Sequence, residues 1–194
     1  MNLVPSVIVR DNGSEKAYDI FSMLLKDRNI VIGDEITDDL ASVVIAELLY
    51  LEAENPEEPI YLYINTPGGS CSAGLSIIDT MNFIKCPVYT FVTGTAESMG
   101  SVIFASGEKG HRLMLPHAKV MLHQVSFGAQ GNIQDNVISY EEGVKINDTL
   151  MTMLGELSGG KSMEEIKKLT VRDLWLTAEE SVEFGIADKV VTKR

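Results

Sequence analysis

The sequence predicts an α/β fold with parallel strands, and three observations carry that prediction. Two strand–turn–helix units follow one another over 60–84 and 87–105, the pattern that gives parallel strands joined by right-handed crossovers. The run Ile60 to Ile64 is almost continuously apolar, as in a strand covered on both faces of a parallel sheet. With 194 residues and 45% hydrophobic content, the chain fits one medium domain with a sizeable core that needs no disulfide.

The elements follow in order. After an extended N-terminal segment, Ile20, Phe21, Leu24 and Leu25 recur at helical spacing and predict a helix over 14–27, then a short strand over 29–32. Asp38 and Asp39 suit the positive end of the next helix, whose buried stripe is Leu40, Val43, Val44, Leu48 and Leu51 and which stops before Asn55-Pro56. The strand from Ile60 leads through the turn 65–70 into a helix with the stripe Ile77, Ile78, Met81 and Ile84. Val88 to Ala105 reads as a buried strand that breaks at Gly94 and turns sharply into a helix, with Ser98 at the corner. Short strands are expected over 112–115, 119–124 and 189–192. The span 132–157 carries Ile133, Val137, Tyr140, Val144, Leu150, Met153 and Leu157, a long helix with more apolar surface than one face needs, which invites a partner. Capping boxes at Ser162…Glu165 and Thr177…Glu180 open two shorter helices.

Composition narrows the function. A net charge of −12 argues against nucleic acid or an anionic membrane as partner. Cys71 and Cys86 are too few and too oddly placed for a disulfide framework and neither belongs to a CxxC pair, which fits a reducing, cytoplasmic setting. The N-terminal residues lack the basic start and apolar run of a secretory signal, and no stretch is apolar enough to span a bilayer. No HExxH or Cys/His cluster marks a metal site. The letters Gly155 to Ser162 spell a phosphate-binding loop, yet they follow a helical pattern rather than a strand, so Gly159-Gly160 is expected to end that helix instead.

Chemistry has few places to reside. In parallel sheets working groups gather beyond the carboxyl ends of the strands, where both Gly68-Gly69 and Ser98 fall. Ser98 fits two roles: an N-cap, or a nucleophile beside unpaired backbone N–H groups that stabilise an oxyanion. Of three histidines, His111 and His117 sit in turns that look solvated, whereas His123 ends an apolar strand and is either a core histidine or one held at a site edge. Among 28 acidic residues Asp173 stands out, lying just before Leu174-Trp175-Leu176 where it is expected to be partly buried. The Pro67-Gly68-Gly69 turn suits either a tight connection or a backbone that must approach a substrate closely.

These pieces occur together in one family. Over nearly its whole length the chain resembles the proteolytic subunits of the Clp protease (ClpP), through Ala17–Ser22, Leu51–Glu54, Tyr61–Ser70, Ser98–Gly100, Met121–Gln124, Gly128–Gly131, Arg172–Asp173 and Ala178–Glu180. The resemblance implies an α/β, crotonase-like fold, a single peptidase domain over 1–194 with an N-terminal axial segment over 1–19 and a protruding handle helix over 132–157. It implies a serine endopeptidase that hydrolyses unfolded proteins and peptides, with Ser98, His123 and Asp173 as triad and the N–H groups of Gly69 and Met99 as oxyanion hole. Substrate would lie as an added strand along Gly68, Gly69, Ser70, Gln124 and Val125. The family assembles as a homo-oligomer of two stacked heptameric rings joined through the handle helices. An AAA+ unfoldase such as ClpX or ClpC docks outside, here in a pocket with Leu49, Tyr61, Tyr63 and Phe83. ATP serves the ATPase only, so no cofactor and no metal are implied for this chain.

The chain also departs from the family pattern. Glu97 stands where the family usually has alanine, Val125 and Phe127 replace a usual proline and glycine, and Leu169 and Val171 occupy positions commonly acidic. Loss of those acidic partners bears on the ring-to-ring ion pairs, so a divergent paralogue that joins another ClpP subunit in a hetero-oligomer is the alternative. A crotonase-type acyl-CoA enzyme shares the scaffold, but the contexts of Ser98 and His123 argue against it.

Overall fold

The computed structural model describes residues 4–11 and 14–193, so Met1–Leu3, Asn12 and Gly13 of the expected axial segment lie outside the described residues. Strands β1 (Ser6–Asp11) and β2 (Ser14–Asp19) form an antiparallel pair, followed by α1 (Ile20–Lys26), β3 (Asn29–Ile32), α2 (Asp38–Glu54), β4 (Ile60–Thr66) and α3 (Cys71–Phe83). Then come β5 (Val88–Glu97), α4 (Met99–Ala105), β6 (Arg112–Met114), β7 (Lys119–Leu122), α5 (Ile133–Leu157), α6 (Met163–Leu169), β8 (Leu174–Thr177), α7 (Ala178–Phe184) and β9 (Lys189–Val190).

The expected helix over 14–27 is corrected: Ser14–Asp19 is a strand, and the helix begins at Ile20. The Asp19 carboxylate stops the strand and caps α1 by accepting from the Ser22 hydroxyl and N–H, which holds its pKa below the ordinary value. Both expected capping boxes are in place at α6 and α7, and Thr37, just before the expected Asp38 and Asp39, caps α2.

The main sheet runs β3-β4-β5-β6-β9, all parallel, with β7 parallel to β5 and β8 antiparallel to β7. Ile32, Leu62, Ile64, Leu48, Ile77, Ile78 and Phe104 fill the core beneath α2, α3 and α4. The opposite face is less covered than the apolar run implies. Tyr61 and Tyr63 alternate with the buried Ile60, Leu62 and Ile64 and pair with Tyr89 and Phe91 in an aromatic layer at the surface. Val43, expected in the α2 stripe, is 55% exposed.

β5 does not break at Gly94. Thr90–Val92 pairs with β6 and Thr95–Glu97 pairs with β7, so the strand changes partner there and continues to Glu97. Gly94 is needed because Asn65 crosses at that point. A Cβ would meet Asn65 Oδ1 at 2.2 Å, and the same oxygen accepts from Thr95 N–H at 3.0 Å. This change of partner delivers the end of β5 beside the end of β7.

Gly155 lies within α5 and no strand precedes it, while Gly159 and Gly160 take positive φ in the turn that follows, so the phosphate-loop lettering marks a helix end. His111 is not a solvated turn residue: its ring stacks on Tyr89 at 3.8 Å and 8°. Both cysteines are free.

Candidate active site

Registers place the three expected catalytic side chains before any side-chain contact is considered. Glu97 pairs with Met121, and the Ser98 N–H donates to the Met121 carbonyl at 2.9 Å, so Ser98 sits beside the chain that carries His123 two residues on. Leu122 pairs antiparallel with Leu174, which sets His123 against Asp173 at the next position. One strand end, one strand exit and one strand entry therefore meet.

Ser98 has φ +52° and ψ −123°, a strained conformation for a residue with a Cβ, which costs about 1–3 kcal/mol. Its side chain makes no capping bond to α4, so the N-cap role does not account for the residue. Instead Oγ lies 2.7 Å from His123 Nε2, the geometry in which a hydroxyl donates to a neutral imidazole. His123 is half-buried, its side chain 23% exposed. The third expected member is more distant. Asp173 Oδ1 is 3.9 Å from His123 Nδ1, beyond hydrogen-bond reach, and the Asp173 side chain is 63% exposed rather than partly buried as the sequence led us to expect. The antiparallel partner ends at Leu174, so Asp173 lies off the ladder at the sheet rim.

The Pro67–Ser70 turn packs directly on this corner. A Cβ on Gly68 would stand 2.7 Å from both Ser98 Cβ and the Glu97 carbonyl, and its φ of +91° favours glycine in any case. Gly69 lies against Ile36, with Ile36 N–H donating to the Gly68 carbonyl and Ser70 N–H to the Ile36 carbonyl, both at 2.8 Å. The Gly69 and Met99 N–H groups find no protein acceptor among the described residues, and Met99 opens α4, where first-turn N–H groups have no helical partner. The other expected substrate contacts are more committed. Ser70 caps α3 with its hydroxyl, Gln124 donates its side-chain amide to the Lys167 carbonyl at 3.2 Å, and Val125 N–H donates to Asn147 Oδ1 at 3.0 Å.

Beside Ser98 opens a cavity of about 200 Å3, lined by Cys71, Val102 and Val125 and closed by Leu150, Met151 and Leu154 from α5. Sequence reasoning placed none of these three α5 residues at the site. Burial pushes the Cys71 thiol pKa up, which keeps it a neutral apolar wall. Among the described residues no group of three or more His, Cys, Asp or Glu is placed to hold a metal ion, and no helix is long and apolar enough to cross a membrane.

A hydroxyl on an imidazole, at a strained strand-to-helix corner whose cavity is lined by two residues with unpartnered N–H groups, suits acyl transfer. Comparison with known families matches residues 12–194 to the family described as Clp protease. The chain belongs to the Clp protease family. Its fold is accordingly the crotonase-like α/β fold, and its family is one of serine peptidases. Within this Clp protease fold, the residues expected to dock an ATPase divide into two groups. Tyr61 and Tyr63 stand in the aromatic layer of the sheet, whereas Leu49 on α2 and Phe83 at the end of α3 are 42% and 80% exposed. A cleft of about 370 Å3 takes Tyr63 with Phe91, Leu113, Leu115 and Val191, and does not reach the other three.

Replacing Gly69 with alanine is expected to lower kcat about 10²- to 10³-fold with little change in KM. The new Cβ would meet the Ile36 carbonyl oxygen at 2.3 Å and swing the N–H away from the oxyanion position. Steady-state kinetics on a fluorogenic peptide checks this, and an unchanged kcat would remove Gly69 from the oxyanion hole.

Proposed function

We propose that this chain is the proteolytic subunit of an ATP-dependent Clp protease, a serine endopeptidase acting on unfolded polypeptides. The observation that carries the reading is the Ser98 Oγ to His123 Nε2 contact of 2.7 Å at a strained corner where the hydroxyl has no capping role. Ser98 Oγ attacks the peptide carbonyl carbon while His123 Nε2 takes its proton, and the resulting oxyanion is held by the Gly69 and Met99 N–H groups. Collapse of the intermediate breaks the C–N bond, His123 gives the proton to the leaving amine, and water then hydrolyses the acyl-enzyme with His123 again as base. Asp173 steadies the imidazolium. The substrate chain lies between the Gly68–Ser70 turn and the segment after His123, and no cofactor takes part.

The assembly proposed is two stacked heptameric rings in the cytoplasm, with 132–157 as handle, 1–19 as axial segment, and an AAA+ ATPase at Leu49, Tyr61, Tyr63 and Phe83. Support for the handle comes from its outer half, where Ile133, Ile138 and Tyr140 are 77%, 64% and 61% exposed and a second copy would cover them. A second reading has its own observation in the exposed, non-bonded Asp173. On that reading the chain is a regulatory paralogue whose His123 is oriented only when another subunit closes over Asp173.

Fluorophosphonate labelling of the purified chain, followed by intact mass, separates the two. Labelling that vanishes in Ser98→Ala supports an autonomous peptidase. Its absence in the wild type, restored by adding a second ClpP subunit, supports the paralogue.

A further inference from the structure

Residues 123–132 form neither helix nor strand, so His123 is carried on a chain that leaves β7 at Leu122 with no ladder to hold it downstream. Three contacts hold the part of that chain nearest His123 beside the packing of the Val125 side chain on the core, and two of them are to α5. Val125 N–H, two residues past the imidazole, donates to Asn147 Oδ1 at 3.0 Å. Gln124 donates its amide to the Lys167 carbonyl. Phe127 lies over α5 at Gly143, where a Cβ would come within 3.2 Å of its ring, and meets Tyr140 edge-on at 6.2 Å. Tyr140, Gly143 and Asn147 are spaced i, i+3 and i+7, so they form one row on one face of α5. One and two turns further on, the same helix supplies Leu150, Met151 and Leu154 to the Ser98 cavity.

The other side of the imidazole has no such hold. At 3.9 Å the Asp173 carboxylate does not fix the ring, so the position of Nε2 against Ser98 Oγ depends on the backbone that carries it. We infer that Asn147 is a positioning residue for His123. By accepting the Val125 N–H it sets the direction in which the chain leaves His123 and keeps Nε2 within bonding distance of Ser98 Oγ. The Phe127 contact one turn away restrains the same segment by packing alone. The inference rests on the reading of Ser98 and His123 as nucleophile and base. It makes α5 part of the catalytic geometry as well as a wall of the cavity.

The test is the rate at which a fluorophosphonate acylates Ser98, measured against reagent concentration for wild type, Asn147→Ala, Asn147→Leu and Asn147→Asp. Alanine and leucine remove the acceptor and are stronger helix formers than asparagine, so α5 is retained, while aspartate keeps an oxygen at the same place. The saturating rate is expected to fall about tenfold in Asn147→Ala and Asn147→Leu, the loss of about one part-buried hydrogen bond. The half-saturating concentration and the melting temperature should stay near wild type, and Asn147→Asp should recover the rate to within about twofold. A wild type that labels at Ser98 with Asn147→Ala labelling equally fast overturns the inference and leaves the functional reading standing. So does an Asn147→Asp variant as slow as alanine. A wild type that never labels overturns the functional reading, and the inference falls with it.

Discussion

Ser98→Ala is expected to lower kcat for peptide hydrolysis by about 10⁶-fold with KM almost unchanged. Oγ is the only atom removed, and it is the one atom of the side chain that touches His123. The methyl group fills the same place, and with the side chain free of any capping bond to α4, the change leaves that helix intact. His123→Ala is expected to cost about as much, because nucleophile and base act as one unit and their losses do not add. Asp173→Asn should cost far less than the roughly 10⁴-fold loss seen where such a carboxylate is buried and bonded to the imidazole. The reason is geometric: at 3.9 Å and 63% exposed, Asp173 does not fix the tautomer in the isolated chain. The three variants are compared by progress curves on a fluorogenic peptide. An Asp173→Asn loss as large as that of Ser98→Ala would mean that the carboxylate closes onto His123 in the working state.

What was legible in the sequence was what local chemistry determines. The Thr177 and Ser162 boxes fix helix starts through bonds three residues apart, and the β4–turn–α3 unit announces itself through apolar runs and paired glycines. Ser98 at a strand-to-helix corner was equally visible, but its choice between cap and nucleophile was not, because that depends on where β7 lies. The continuation of β5 to Glu97 is hidden in the sequence for the same reason: Gly94 looks like a breaker until Asn65, 29 positions earlier, is placed across it. Ser14–Asp19 carries no alternation because, among the described residues, no side chain of its hairpin belongs to the core, so the helical spacing of the next residues extends over it. Asp173 was expected inside through its apolar neighbours, yet Leu174 pairs with Leu122 at the last rung and Asp173 is left on the rim. Asn147 had no sequence signal. An asparagine on a long helix is ordinary until the chain after His123 is seen to need an acceptor there.

Asp188→Ala is expected to destabilise the fold by about 3–5 kcal/mol, a large share of the usual 5–15 kcal/mol. Arg112 is buried, and its guanidinium donates to Asp188 from Nε at 3.0 Å and from Nη2 at 2.7 Å, to the Leu157 carbonyl at 2.8 Å and to the Gly185 carbonyl at 3.0 Å. Gly110 and Arg112 N–H groups add bonds of 2.7 and 2.9 Å to the same carboxylate. One ion pair thus ties β6 to the end of α5, the end of α7 and the start of β9, and alanine leaves a buried cation with carbonyl partners but no counter-charge, and two N–H groups without their acceptor. Burial alone would raise the Asp188 pKa. The guanidinium and backbone hydrogen bonds of Arg112, its charge and the Gly110 N–H outweigh that, and the carboxyl is held below its ordinary value. A depressed folded-state pKa gives stability that is present above the unfolded-state value and lost as pH falls through the folded one. Thermal melts should therefore show the wild type losing its advantage over Asp188→Ala below the ordinary aspartate range, with a gap near neutral pH of about 10 °C for a chain of this size. A gap that stayed constant down to the acid limit would mean that the contribution is packing and not charge.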